Sequence, residues 1–168
     1  MTLVATVDKL DGKLPEIVYR WDSETEILSG QFKTSKKTGG LTGSVELGDP
    51  AGSFVMIDVA GGVVRGLEIV VWPDTSIVET LQAPAPASQG RLMVPARASQ
   101  PGIAAVQLDT QLSVEKRADE SVIHLRVGPK RKVTVVQLAD GLIVEVDGDG
   151  NIAGLWLTNV PPFPQPQA

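Results

Sequence analysis

Short runs of Val, Ile, Leu and Thr recur along this chain, separated every several residues by clusters of Gly, Asp, Asn or Pro. Apolar runs of this length between turn-forming residues predict β-strands. In the first part of the chain they are Leu3–Val7, Ile17–Trp21, Ile27–Lys33, Gly43–Leu47, Phe54–Val59 and Val63–Val71. In the last part they are Ile103–Leu108, Leu112–Lys116, Val122–Val127, Val133–Leu138, Leu142–Val146 and Ile152–Leu157. Residues 74–102 break this rhythm: they are rich in Ala, Ser and Gln, carry Pro84, Pro86, Pro95 and Pro101, and read as a linker. Within it Asp74–Gln82 predicts a short helix, capped by Asp74 with Ile77, Val78 and Leu81 on one face, and Arg91–Val94 a brief ordered stretch. Pro161, Pro162, Pro164 and Pro166 make residues 161–168 an extended, largely solvated tail.

The two strand-rich parts, 1–73 and 103–160, align with each other. Glu26-Ile27-Leu28 before Phe32 matches Ser121-Val122-Ile123 before Val127, and Val45-Glu46-Leu47-Gly48-Asp49 matches Val136-Gln137-Leu138-Ala139-Asp140. Phe54-Val55-Met56 is set against Leu142-Ile143-Val144, and Val64-Arg65-Gly66-Leu67-Glu68-Ile69 against Ile152-Ala153-Gly154-Leu155-Trp156-Leu157. The length differences fall after Phe32 and after Asp49, in loops, where a duplicated fold tolerates them. Each part alone has about 50 to 70 residues, near the lower limit for an independent core. The expected fold is therefore all-β, with two repeated small β-units packed as a pseudo-twofold sandwich or partly closed barrel.

The second copy carries an acidic turn and strand, Asp119-Glu120-Ser121-Val122-Ile123-His124-Leu125-Arg126. Then come Val136-Gln137-Leu138-Ala139-Asp140-Gly141-Leu142-Ile143-Val144-Glu145-Val146-Asp147 and Gly150-Asn151-Ile152-Ala153-Gly154-Leu155. This order resembles a family of short bacterial domains of unknown function, whose pattern runs "LYIRL", "DGVIVDxDxxG" and "GIEIL". The first copy is similar to it more loosely, through Trp21–Leu28 and Phe54–Val59. The resemblance implies tandem copies of one small domain and supplies no catalytic residue. Gly30, which aligns with Leu125, departs from the pattern and predicts a bend, a bulge or a close approach.

Composition narrows the chemistry. The 168 residues include no Cys and one His, which excludes disulfide scaffolds, thiolate zinc sites, cysteine nucleophiles and multi-histidine metal sites within one chain. Lys plus Arg is 15 against 20 Asp plus Glu, a formal charge of -5 that argues against a dedicated nucleic-acid binder. Met1 to Lys13 holds Asp8 and Asp11 and no apolar run, and no stretch is long and apolar enough for a spanning helix, so a cytoplasmic protein away from the membrane is expected.

Four groupings invite chemistry, and each has a plainer reading. Asp147-Gly148-Asp149-Gly150-Asn151 begins like a calcium loop, but the later Gly and Glu positions hold Ile152 and Thr158, which favours a hairpin turn. The first copy has Ala60-Gly61-Gly62 there, which turns without offering ligands. His124 alternates with Ile123 and Leu125, which predicts a half-exposed surface imidazole. With the turn carboxylates Asp22, Glu24, Glu26, Asp119 and Glu120 it makes a small hydrolase the catalytic alternative. The loop after the second strand of each copy is basic: Lys33, Lys36 and Lys37 in the first, Arg126, Lys130, Arg131 and Lys132 in the second. As paired loops they make an anion or nucleic-acid binder a second alternative, or they simply keep strand edges soluble, and neither loop has an aromatic residue to stack on bases. Trp21, Trp72 and Trp156 close or punctuate strands, a pattern of core or inter-copy packing.

The sequence thus favours a non-catalytic interaction or binding module, with a protein partner or a second copy as a homodimer, and no metal or cofactor.

Overall fold

The computed structural model describes residues 5–10, 12–33, 43–94 and 105–164. Strand β1 (Thr6–Lys9) is followed by β2 (Ile17–Trp21), β3 (Leu28–Phe32), β4 (Gly43–Gly48), β5 (Phe54–Ala60) and β6 (Val63–Val71). Next come β7 (Thr75–Ile77), β8 (Ser88–Met93) and β9 (Ala105–Asp109). The last five are β10 (Leu112–Lys116), β11 (Ile123–Val127), β12 (Val133–Ala139), β13 (Leu142–Asp147) and β14 (Ile152–Leu157). All fourteen join one strongly curled mixed sheet, a half-barrel, and the fold is all-β. Among the described residues no helix is long and apolar enough to cross a membrane.

The expected helix at 74–82 does not form. Thr75–Ile77 instead pairs in parallel with Val114–Lys116, and the Val78 N–H continues the ladder to the Lys116 carbonyl. The helix pattern was short and its Thr and Val are weak helix formers, so pairing with an open strand edge decided the conformation. The linker also contains β8, which the polar run Ser88-Gln89-Gly90-Arg91 concealed. Its Ser88 and Gln89 pair in parallel with Val136 and Gln137, while Met93 opposes Val63. A segment read as a spacer is woven into both halves. Leu3 and Val4, at the start of the first expected strand, lie outside the described residues.

Both halves trace the same path. The first runs β2–β3–β6–β5–β4, with β9 added in parallel to β4. The second runs β10–β11–β14–β13–β12, with β8 added in parallel to β12. Ile17 opposes Phe32 as Leu112 opposes Val127, and Leu28 opposes Ile69 as Ile123 opposes Leu157. Ile57 opposes Leu67 as Val144 opposes Leu155. By pairing, the counterpart of Val144 is therefore Ile57, one place beyond the residue the sequence alignment set against it. A bulge falls at the same point of each half, after Asp58 opposite Gly66 and after Glu145 opposite Gly154. Bulges increase local twist, which suits the curl of this sheet.

One buried cluster spans both halves. It includes Leu28, Ile57, Leu67 and Ile69 from the first half and Ile123, Leu125, Leu142 and Leu157 from the second. Tyr19 links the halves: its ring lies over Gly30, where a Cβ would come within 2.8 Å, and its hydroxyl donates to the Gly141 carbonyl at 2.5 Å. Gly30 is thus a close approach, made so that a tyrosine from the neighbouring strand occupies the space. Burial pushes the Tyr19 phenol well above its ordinary pKa, so it remains a donor at any physiological pH.

Candidate functional site

The outer face of the second half is where His124 lies. In antiparallel pairs, opposed residues share a face, so Glu115, His124, Trp156 and Ile143 form one row across β10, β11, β14 and β13. The imidazole stacks on the Trp156 indole with centroids 4.0 Å apart and planes 8° from parallel. Its Nε2 is 2.6 Å from Glu145 Oε1 and its Nδ1 3.4 Å from Glu115 Oε1. Gly154 makes room for this arrangement, since a Cβ there would collide with the Glu145 carboxylate and approach the Leu125 carbonyl to 2.9 Å. Burial alone would raise the Glu145 pKa, but the hydrogen bond and charge of His124 outweigh it and hold the carboxyl below its usual range.

His124 is not the half-exposed imidazole that strand alternation predicts, for it is only 4% exposed. The alternation rule assumes that one face of the strand meets water. Here Val78, Leu81 and Ala83 pack over Val122, Ile143 and Trp156, and Ala87 hydrogen-bonds Val135, so the Pro/Ala-rich segment roofs that face. Both ring nitrogens face carboxylates, and the geometry is that of a held, internal group.

Two of the five turn carboxylates, Asp22 and Asp119, are occupied locally. Asp22 accepts from the Glu24 and Thr25 N–H groups, and Asp119 from the Ser121 N–H and hydroxyl. These bonds hold both pKa values below the ordinary one. At 147–151 the chain makes the hairpin turn, with Asp147 Oδ1 accepting from the Asp149 and Asn151 N–H groups. The Asn151 backbone bond and the Arg131 guanidinium, 2.8 Å from Asp147 Oδ2, lower the Asp147 pKa to about 2. Among the described residues no group of three or more acidic or His side chains is placed to hold a metal ion.

Of the basic candidates, Arg131 is a staple: besides Asp147 it donates to the Val127, Pro129 and Ile152 carbonyls. Lys33 lies 3.2 Å from Glu16, and Arg126 lies 3.6 Å from Glu115 on the outer face of the sheet. Lys130 and Lys132 are exposed, and Lys36 and Lys37 lie outside the described residues. Three of the five described cations therefore already face a carboxylate.

The partly open aromatic surface lies elsewhere, where the halves meet. Trp21, at the end of β2, stacks on Trp72, just past β6, with centroids 5.6 Å apart and planes at 20°. Phe163 meets Trp21 edge-on at 5.2 Å, and Lys116 Nζ stands 4.1 Å from the Trp72 ring centroid. The Trp72 indole N–H donates to the Glu26 carbonyl and that of Trp21 to the Pro161 carbonyl, both at 2.8 Å. Two clefts flank Trp72. One of about 400 Å³ lies by Trp21, Lys116 and Phe163, and one of about 750 Å³ by Asp49, Ser53, Pro73 and Asp109. Glu26 and Glu120, on the rim of the smaller cleft, both have left-handed backbones, φ 62° and 63°. That conformation is costly for a non-glycine residue and concentrates at functional positions.

No protein-family model and no curated protein matches the chain. The functional reading rests on its own geometry.

The sequence reading assigned all three Trp to packing, and for Trp156, buried in the roofed face, the structure places it so. Trp21 and Trp72 pack too, against the main core and on each other, and what the pattern did not show is that they stay partly open beside two clefts. The available signal was the alignment itself: Trp21 and Lys116 end corresponding strands, an unmatched aromatic–cation pair at equivalent places.

Proposed function

We propose that this protein is a non-catalytic interaction module made of two copies of a small β-unit, similar to the bacterial domains named above, and that it engages its partner at the Trp21–Trp72 junction. The reading of two copies is supported by the shared strand path, the matching bulges and the equal cross-strand partners. The partner site is supported chiefly by one observation: a stacked, half-buried Trp pair stands between two clefts where both halves contribute residues. Half-buried tryptophans at concave surfaces are preferred anchors for partners, because a large rigid ring buries apolar area at small entropic cost. Val71 and Ile77, 49% and 62% exposed, extend the apolar surface along the same stretch of chain. The hydrolase alternative has less support, since His124 is roofed and its nitrogens are taken up by carboxylates.

Small aromatic and amine fragments, screened by NMR against the labelled full chain, test this placement. The indole N–H signals of Trp21 and Trp72 should shift, and the His124 ring signals should stay in place. Shifts centred on His124 and Glu145 would reverse the assignment.

A further inference from the structure

The junction already holds an occupant. Residues 160–164 read Val-Pro-Pro-Phe-Pro. Each proline fixes its own φ near −65°, and Val160, Pro161 and Phe163 each precede a proline, which pushes them to extended or polyproline II backbone. The whole stretch is thus restricted to an extended ligand-like form before it meets any surface. Val160 anchors it, buried and hydrogen-bonded through its N–H to the Ser121 carbonyl. Beyond that anchor the Trp21 indole N–H donates to the Pro161 carbonyl at 2.8 Å, and Phe163 lies edge-on against the Trp21 ring at 5.2 Å. An indole donor aimed at a proline carbonyl, beside aromatic rings that pack the chain, is the physical mode by which proline-rich segments are captured.

We infer that the Trp21–Trp72 surface is a receptor for proline-rich peptide segments, and that residues 161–164 occupy it in cis. This rests on the proposed function above and names the class of its partner. Prolines suit the site because they bring little conformational entropy to lose and expose carbonyls that no internal bond satisfies. A segment tethered by a few residues acts at an effective concentration on the order of millimolar, so an external peptide competes with it and binds the intact chain weakly. Weakening the resident segment opens the site.

The test uses the full chain, its Phe163→Ser variant and a blocked synthetic peptide of residues 158–168, followed through the Trp21 and Trp72 indole N–H signals, with Trp72 as the reporter where Trp21 is replaced. Phe163→Ser leaves Val160 and its buried anchor intact. The variant should bind the peptide saturably at concentrations about tenfold lower than the unaltered chain needs. A peptide with its four prolines replaced by Ala should bind several-fold more weakly, and Trp21→Phe, which keeps a ring but removes the donor, should weaken binding in the Phe163→Ser background. Absence of any saturable shift, equal binding of the proline-free peptide, or indifference to Trp21→Phe each overturns the inference. If fragments still shift the Trp21 and Trp72 indoles while the peptide does not, the junction site stands and its assignment to proline-rich segments falls.

Discussion

The outer faces of the two halves are built on matching strand positions and differ in what those positions carry. In the second half the sites of His124, Trp156 and Glu145 are roofed by residues 78–87, and the polar groups close on one another. In the first half the corresponding residues are Ser29, Glu68 and Asp58, on a face that stays partly open among the described residues. There Gln31 crosses Gly66 to donate to Asp58 at 2.7 Å, much as Glu145 crosses Gly154 to reach His124. The glycine, the bulge and the polar crossing are common to both halves, and the burial is not. The comparison separates scaffold from specialisation: a histidine that looks like chemistry in the sequence is a consequence of covering one face.

Three perturbations, in decreasing order of expected effect, break or sharpen this comparison. Leu28 and Ile123 hold equivalent, fully buried positions in the shared cluster, so Leu28→Ala and Ile123→Ala should each destabilise by about 2–5 kcal/mol. Thermal unfolding should show one transition in both variants, since each residue supports the same core. Next, Glu145→Ala leaves the buried imidazole without its 2.6 Å partner and should cost about 1–3 kcal/mol in denaturant unfolding. Asp58→Ala, its counterpart on the open face, should stay within about 0.5 kcal/mol. Equal losses at the two positions would mean that the faces do not differ as described.

The smallest effects concern pH. Asp147 has a folded pKa of about 2 against an ordinary 3.8, so its contribution is complete above the unfolded value and fades as pH falls toward 2. Glu145 is depressed too and acts in the same direction. Glu68, on the open face, is raised by partial burial and by Asp58, so its contribution is present at low pH and lost as pH rises. Asp147→Asn should flatten the acid limb of stability, whereas Glu68→Gln should leave neutral stability unchanged or higher by no more than about 0.5 kcal/mol. Urea unfolding at several pH values between 2 and 7 reads both.

Much of the scaffold was legible in the sequence because it depends on local alternation and turns. Ile17–Trp21, Val63–Val71, Leu112–Lys116 and Ile152–Leu157 form strands with the bounds the pattern predicts. Of the segment 74–94, only the ordered stretch at Arg91–Val94 was legible, as the end of β8. Strands β7 and β8 owe their form to neighbours' free edges, and no local period announces that. The same omission caused the error at His124, because its burial comes from a roof about 40 residues away in sequence. The junction was hidden for a related reason: Trp21, Trp72, Lys116 and Phe163 meet only once the halves pack together.

A site at that junction requires the halves to behave as one unit, and residue-resolved hydrogen exchange of the intact chain tests this most directly. The amides of β3 and β11, at equivalent central positions, should open with the same free energy and equal response to denaturant, as parts of one cooperative core. Two distinct opening free energies, with one half exchanging while the other stays protected, would contradict the account.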